Sequence, residues 1–376
     1  MKKKILNCLA SLAVAIVCLC FTALLLMMIL LGAGISLSRP QGAPAELVVG
    51  DRFKMFMTNS VSNALEGVLD IKKVYWLSDD DVVAPEPDAD KYGTTTDPAE
   101  ISRLLEDARE LLDGQTTVLT SETPLAPKSQ VTYYLDETIF AATWKQKFDN
   151  SIYTISEIKI AHPSQFRRFL AGGSYGSGIQ LITTDMAESV NAVVASSGDF
   201  YAFRRHGIIV YDGTVHRVNA ESVDTCFIDD HGDMIFSPRG QLGTLEEAQR
   251  FVDENNIRFS LAFGPILLDD GEKVDYHGYP VGEVYGVYAR SALCQMGPLH
   301  YLLVVCAKDY THQENTTIRN FQNIIASFGC KDAYALDGGQ TAAIAMQGKT
   351  INRVAFGYQR QISDIIYFAT AMPDRE

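Results

Sequence analysis

The 376-residue chain is expected to be an α+β protein, a β-sheet-rich domain with packed helices, preceded by one N-terminal transmembrane helix. Three observations predict this. From about residue 131 short β-type runs are separated by glycine-containing turns. A few capped helices interrupt them, without the strand–helix rhythm of a doubly wound sheet. Residues 5–34 contain no charged side chain, and a membrane-crossing helix needs about 20 apolar residues.

The 5–34 run is rich in Leu, Ala, Val, Ile and Met. It exceeds the roughly 7–15-residue apolar core of a cleaved signal peptide, which favours an uncleaved anchor. Lys2, Lys3 and Lys4 precede it and no basic residue follows before Arg39. The positive-inside bias then leaves residues 1–4 as a cytoplasmic tail and puts the main domain outside a cell membrane crossed once.

Residues 35–130 read as a stalk or linker carrying an accessory helix. Residues 78–97 are acidic and rich in Pro, Asp and Thr, with no apolar periodicity. A helix follows, with Asp97 as N-cap, Pro98 at the first helical position, Glu100 placed to close a capping box and Gly114 just past the end. Ile101, Leu104, Leu105, Ala108, Leu111 and Leu112 form its apolar stripe.

Residues 131–376 form the main domain. Hairpin turns are expected at Asp212-Gly213, His231-Gly232, Asp270-Gly271 and Gln347-Gly348. Residues 301–307 and 364–369 are almost continuously apolar and read as buried strands. Thr244 with Glu247 caps one helix, and Ile318, Phe321, Ile324, Ile325 and Phe328 line another that stops at Gly329. Residues 163–171 are charged and look helical.

The formal net charge of −14 repels a polyanion, and no basic stripe offsets it, which argues against nucleic-acid binding. Scattered histidines and the absence of CxxC and HExxH patterns give no metal centre, and no cofactor motif is present. Asp229, Asp230 and Asp233 make an acidic hairpin tip that reads as solvated. Cys226, Cys294, Cys306 and Cys330 lie outside the apolar segment. They allow three disulfide pairings, or serve as buried free thiols.

The stretch 332–353 carries the chemistry. A strand-like run ends in Asp337, followed at once by Gly338 and Gly339. A carboxylate beside two glycines can sit at a cleft floor while the backbone approaches a ligand closely. An ordinary Asp-Gly turn is the structural alternative. Gly172 to Gly176 fits G-x-S-x-G, but a serine elbow needs a strand before it and a helix after it, so a glycine loop is favoured.

The sequence around Asp337, Gly338, Gly339 and Asn352 resembles the NLDGGGS-type motif of the phosphodiester glycosidases. Ala192 to Ala195 leading into Gly198-Asp199-Phe200-Tyr201 is similar to the family's AINGDYY stretch, and Phe263-Gly264-Pro265-Ile266-Leu267 to its FGPxL stretch. Arg290 falls where the family has PRTAIG, and residues 360–366 resemble its closing Arg-containing strand, so the likeness spans residues 153–371.

The resemblance implies hydrolysis of a sugar-1-phosphodiester, with an envelope glycopolymer or glycoconjugate as substrate. It implies catalytic roles for Asp199, Asp337 and Arg290, and substrate binding by Gly198, Gly264, Gly338, Gly339, Asn352 and Arg360. Ser197 replaces the Asn of NGD, Gln340-Thr341 replaces Gly-Ser, Ser291 to Cys294 replace TAIG, and Cys306 to Asp309 stand at DGR. A catalytically degenerate glycan- or phosphate-binding protein is therefore the alternative.

Overall fold

The computed structural model describes residues 83–307 and 316–371. The expected anchor at residues 5–34 lies outside them, and among the described residues no helix is long and apolar enough to cross a membrane. What is described belongs to the unit Val74–Glu376 and is a sheet-rich α+β arrangement.

Its backbone is a nine-stranded sheet in the order Tyr92–Thr95, Val131–Leu135, Ile139–Phe148, Ser151–Ile160, His300–Cys306, Arg290–Gly297, Asp332–Leu336, Ile266–Asp269, Glu272–Lys273. Both faces are covered, which the central strand explains. Leu302, Val304 and Cys306 enter one apolar cluster with the helices Pro98–Asp107 and Ile318–Ser327. Tyr301, Leu303 and Val305 enter another, against Val194, Ile344, Ile366 and Phe368 of a five-stranded sheet. Side chains alternate across a strand, so burial on both faces requires the continuous apolar run seen at residues 301–307.

The five-stranded sheet runs Lys349–Thr350, Ile344–Met346, Val194–Ser197, Asp364–Phe368, Phe166–Leu170. Its other side packs on the helix Thr183–Ser189 through Ala195, Ile365, Met186 and Ala187. A three-stranded sheet, Met234–Ser237, Thr225–Asp229, Ile257–Leu261, forms a further cluster with the Gly207–Tyr211 and Thr214–Asn219 hairpin and the helix Leu245–Glu254. All strand pairs among the described residues are antiparallel.

The four expected hairpin turns form. Asp212 and Gly213 both adopt positive φ, at 48° and 68°, as a two-residue turn requires. The Thr244 and Glu247 capping box is present. Residues 163–171 correct the helical expectation: a single 3-10 turn, Pro163–Gln165, leads into the strand Phe166–Leu170. Adjacent Arg167 and Arg168 looked like a solvated helix face, yet both are buried.

Of the segment expected to be a stalk or linker, residues 35–82 lie outside the described residues, while from residue 92 on the chain is part of the main domain. Tyr92–Thr95 pairs with Val131–Leu135, and Ile101, Leu104, Ala108 and Leu112 are buried in the core shared with Trp144 and Phe321. Asp97 caps the helix by accepting from the Ala99 amide, while Glu100 accepts from the Tyr133 hydroxyl instead of closing a capping box. Leu104→Ala is expected to cost about 2–5 kcal/mol of unfolding free energy by urea titration, the range for a core leucine. A cost under about 0.5 kcal/mol would return the helix to an accessory role.

The four described cysteines are free and buried. Burial pushes the Cys306 thiol up to about 12. Because the thiolate is the nucleophile, these four cysteines should resist a thiol-specific reagent at pH 8 in the native protein, read by peptide mapping, and react only on unfolding. Rapid labelling of any of the four in native protein would contradict this packing.

Candidate active site

The site forms where strand ends from the two large sheets meet. Val194–Ser197 runs into Gly198-Asp199, and Asp332–Leu336 runs into Asp337-Gly338. The Asp337 amide donates to the Gly198 carbonyl at 3.4 Å, and the Gly198 amide to the Asp364 carbonyl at 3.1 Å. A Cβ on Gly198 would lie 1.9 Å from Asp364 Oδ2, and one on Gly338 2.5 Å from the Ala289 carbonyl oxygen. Both positions therefore demand glycine. The Gly339 amide also donates to Ala289, at 2.8 Å, tying the glycine turn to the strand that begins at Arg290.

Behind this junction lies a closed ionic cluster. Arg168 Nη2 is 2.6 Å from Asp199 Oδ1 and 3.0 Å from Asp364 Oδ2, with all three side chains fully buried. Arg168 Nε donates to Asp364 Oδ2 at 3.2 Å, and Nη1 donates to the Ser260 carbonyl. Asp199 Oδ2 accepts from the Ala262 amide at 2.6 Å. Burial pushes the Asp199 carboxyl up; Arg168 opposes this, and the second carboxylate, Asp364, adds to it. One guanidinium shared by two carboxylates leaves an excess negative charge, which favours holding a proton.

Asp337 is different, because it is partly exposed. Its carboxyl is raised to about 7 by loss of hydration, with Thr341, Arg204, Arg360 and the Gly338 amide pulling the other way. The Arg204 guanidinium lies 5.1 Å from the Phe263 ring centroid, and that of Arg360 lies 4.7 Å from Phe203 and 5.2 Å from Phe200. Half-buried Arg204 and exposed Arg360 thus stand beside the half-buried Asp337.

The other expected site residues lie in the segments around this centre. Arg290 Nη2 donates to the Gly286 and Val284 carbonyls at 2.7 and 3.3 Å and lies over the Tyr288 ring. It holds the loop that presents the Ala289 carbonyl. Asn352 is saturated by backbone: Oδ1 accepts from the Ile344 amide, and Nδ2 donates to the Ala342 and Arg353 carbonyls. It braces the hairpin that follows the glycine turn. Gly264 has φ 73° and precedes a cis Pro265, and a Cβ there would lie 2.2 Å from the Tyr279 hydroxyl oxygen.

A strand does precede Ser174, but no helix directly follows it, so the elbow is not formed. Asp229 accepts from the His231 and Asp233 amides and caps its own turn. Among the described residues no group of acidic, Cys and His side chains is arranged to hold a metal ion. Sequence reasoning missed Arg168, Asp364 and Arg204; only Arg204, five residues after Asp199, had a local signal.

Residues 190–369 match the phosphodiester glycosidase family. The chain is 22% identical over 283 residues, 74% of its length, to the SPbeta prophage-derived uncharacterized protein YomE of Bacillus subtilis strain 168, of whose length it spans 38%. Two solved structures share the fold. The catalytic domain of zebrafish N-acetylglucosamine-1-phosphodiester alpha-N-acetylglucosaminidase, auto-inhibited by its pro-peptide, is 16% identical with a TM-score of 0.51, covering 70% of this chain and 93% of that one. A hypothetical protein from Synechocystis is 14% identical with a TM-score of 0.50, covering 66% of this chain and 64% of that one. Asp337-Gly338-Gly339 and Gly198-Asp199 are joined at one strand junction inside residues 190–369, the part of the chain that matches the phosphodiester glycosidase family.

Proposed function

We propose that this protein hydrolyses the anomeric C–O bond of a sugar-1-phosphodiester, with Asp337 as the carboxylate that meets the substrate. The carrying observation is the contrast between the two aspartates. Asp199 is enclosed and ion-paired, whereas Asp337 is half-buried and flanked by Arg204 and Arg360. Cleavage passes through an oxocarbenium-like transition state that a carboxylate stabilises. A phosphate monoester leaves readily, so neutralising its charge with arginine matters more than protonating it.

Ionised Asp337 stabilises the developing positive charge or activates water, and Arg204 and Arg360 take the phosphate oxygens. Asp199, Asp364 and Arg168 position the Gly198 turn, while Arg290 and Asn352 position the segments beside Gly338. Phe203, 57% exposed, lies against Arg360 and offers an aromatic face to a sugar ring. The apolar run at residues 5–34 supports an anchored domain on the outer side of a cell membrane, acting on an envelope glycopolymer or glycoconjugate.

Release of free sugar from a panel of sugar-1-phosphodiesters by the purified protein tests this activity. Because ionised Asp337 is the working form, kcat/KM should rise with pH through a midpoint near 7 and level off above it. A profile that falls through the same range would give Asp337 the role of acid. Folded protein that binds these diesters without releasing sugar would establish the binding-only alternative, which one observation favours: fully buried Ser197, standing at the family's Asn, has no hydrogen-bond partner for its hydroxyl among the described residues.

A further inference from the structure

The strands Thr225–Asp229 and Ile257–Leu261 pair antiparallel up to Leu261 opposite Cys226, and the same register carried two residues further sets Phe263 opposite Asp224. Where two opposed residues of such a ladder bond, each gives its amide to the other's carbonyl. Here the exchange runs through two phenols. The Phe263 amide donates to the Tyr334 hydroxyl at 2.8 Å, and that hydroxyl donates to the Asp224 carbonyl at 2.6 Å. The Asp224 amide donates to the Tyr279 hydroxyl at 2.8 Å, and that hydroxyl donates to the Phe263 carbonyl at 3.3 Å.

Both phenols are buried, and burial pushes each well above the ordinary phenol value, so both keep the proton that the relay donates. Asp224 completes the frame, its carboxylate accepting from the Ile266 amide at 3.0 Å and the Arg239 amide at 2.9 Å. The Ala262 amide goes to Asp199 at 2.6 Å and the Gly264 amide to the Ala335 carbonyl at 3.2 Å. Every amide from residue 262 to 266 is thus bonded, Pro265 having none to give. A segment held this way fixes the Phe263 ring, which is half-buried and carries the Arg204 guanidinium 5.1 Å from its centroid. Deleting either hydroxyl would leave a Phe263 backbone group unpartnered, and the segment would have to shift to satisfy it.

We infer that Tyr279 and Tyr334 are positioning residues of the proposed site: their hydroxyls fix the backbone of Phe263, whose ring is the shelf that holds Arg204 beside Asp337. The inference rests on the proposed role of Arg204 at the substrate phosphate.

Full-length protein with isotope-labelled aspartate carboxyls, followed by NMR, tests this without substrate. The Asp337 signal, identified by its loss in Asp337→Asn, should titrate near pH 7. Phe263→Leu keeps an apolar side chain but removes the ring face, and Tyr279→Phe deletes one hydroxyl. Each should move the Asp337 midpoint upward by about 0.5 pH unit or more, because the cation that favours its charged form is displaced. In an Arg204→Gln background, which itself raises the midpoint, neither change should move it further. A midpoint unmoved by Arg204→Gln, one that Phe263→Leu and Tyr279→Phe both leave in place, or shifts of equal size with and without Arg204 would overturn the positioning role. No step of the test uses turnover. Protein that shows these shifts yet releases no sugar therefore refutes the proposed hydrolysis and keeps the positioning role, and protein that releases sugar without them does the reverse.

Discussion

Asp337→Asn is expected to reduce sugar release by about 10²–10⁴-fold, the usual range for removing a positioned acid–base group, without loss of stability. The two halves of this expectation share a cause. Loss of hydration raises the Asp337 carboxyl from 3.8 to about 7, so between those values the folded state binds more protons than the unfolded state. Its contribution to stability is therefore complete below about pH 4 and is lost as pH rises through about 7. Asparagine carries no charge to desolvate, so the variant should match the parent in urea midpoint at pH 4 and equal or exceed it at pH 8. A residue kept at a cost in stability is what a working site requires. Full turnover by Asp337→Asn would remove Asp337 from the chemistry, and unfolding of the variant at pH 8 would make it a structural residue.

The parts of the fold legible in the sequence were those fixed by local chemistry. Asp212-Gly213 and Gln347-Gly348 turned where two consecutive positive φ angles were needed, and Asp97-Pro98 and Thr244 started helices. The Asp337-Gly338-Gly339 stretch was legible as a place of close backbone approach, and the structure shows what approaches: the Ala289 carbonyl and the Gly198 turn. What escaped was long-range. Arg168 and Asp364 are 196 residues apart and meet only because Phe166–Leu170 and Asp364–Phe368 are neighbouring strands. In sequence, the Arg167-Arg168 pair carries the polarity of a solvated surface, and only the sheet shows that both are buried. Nor could the sequence show that Arg290 Nη2 and the Asn352 side-chain amide are directed at nearby backbone.

Arg168→Met should be the most damaging single change to the domain, costing about 3–5 kcal/mol, because removing one partner of a buried ion cluster leaves uncompensated charge. Asp199 and Asp364 would then face each other in a closed interior with their ion-pair partner gone and only the field of Arg217 to oppose their repulsion. Protonation is the available relief, and it carries a signature. Acidification normally weakens proteins by discharging paired carboxylates, but here it should recover part of the lost stability, since protonated Asp199 no longer needs a cation. Adding Asp364→Asn to Arg168→Met should likewise restore part of the loss at pH 8, and the two substitutions should be strongly non-additive. Sugar release would fall even under conditions where the variant stays folded, because the Gly198 amide is bonded to the Asp364 carbonyl and the Gly198 carbonyl to the Asp337 amide. That chain of two hydrogen bonds links the buried cluster to Asp337. If Arg168→Met, once refolded at mildly acidic pH, turned over substrate as well as the parent, the cluster would be support for the sheet alone, with no part in placing Asp337.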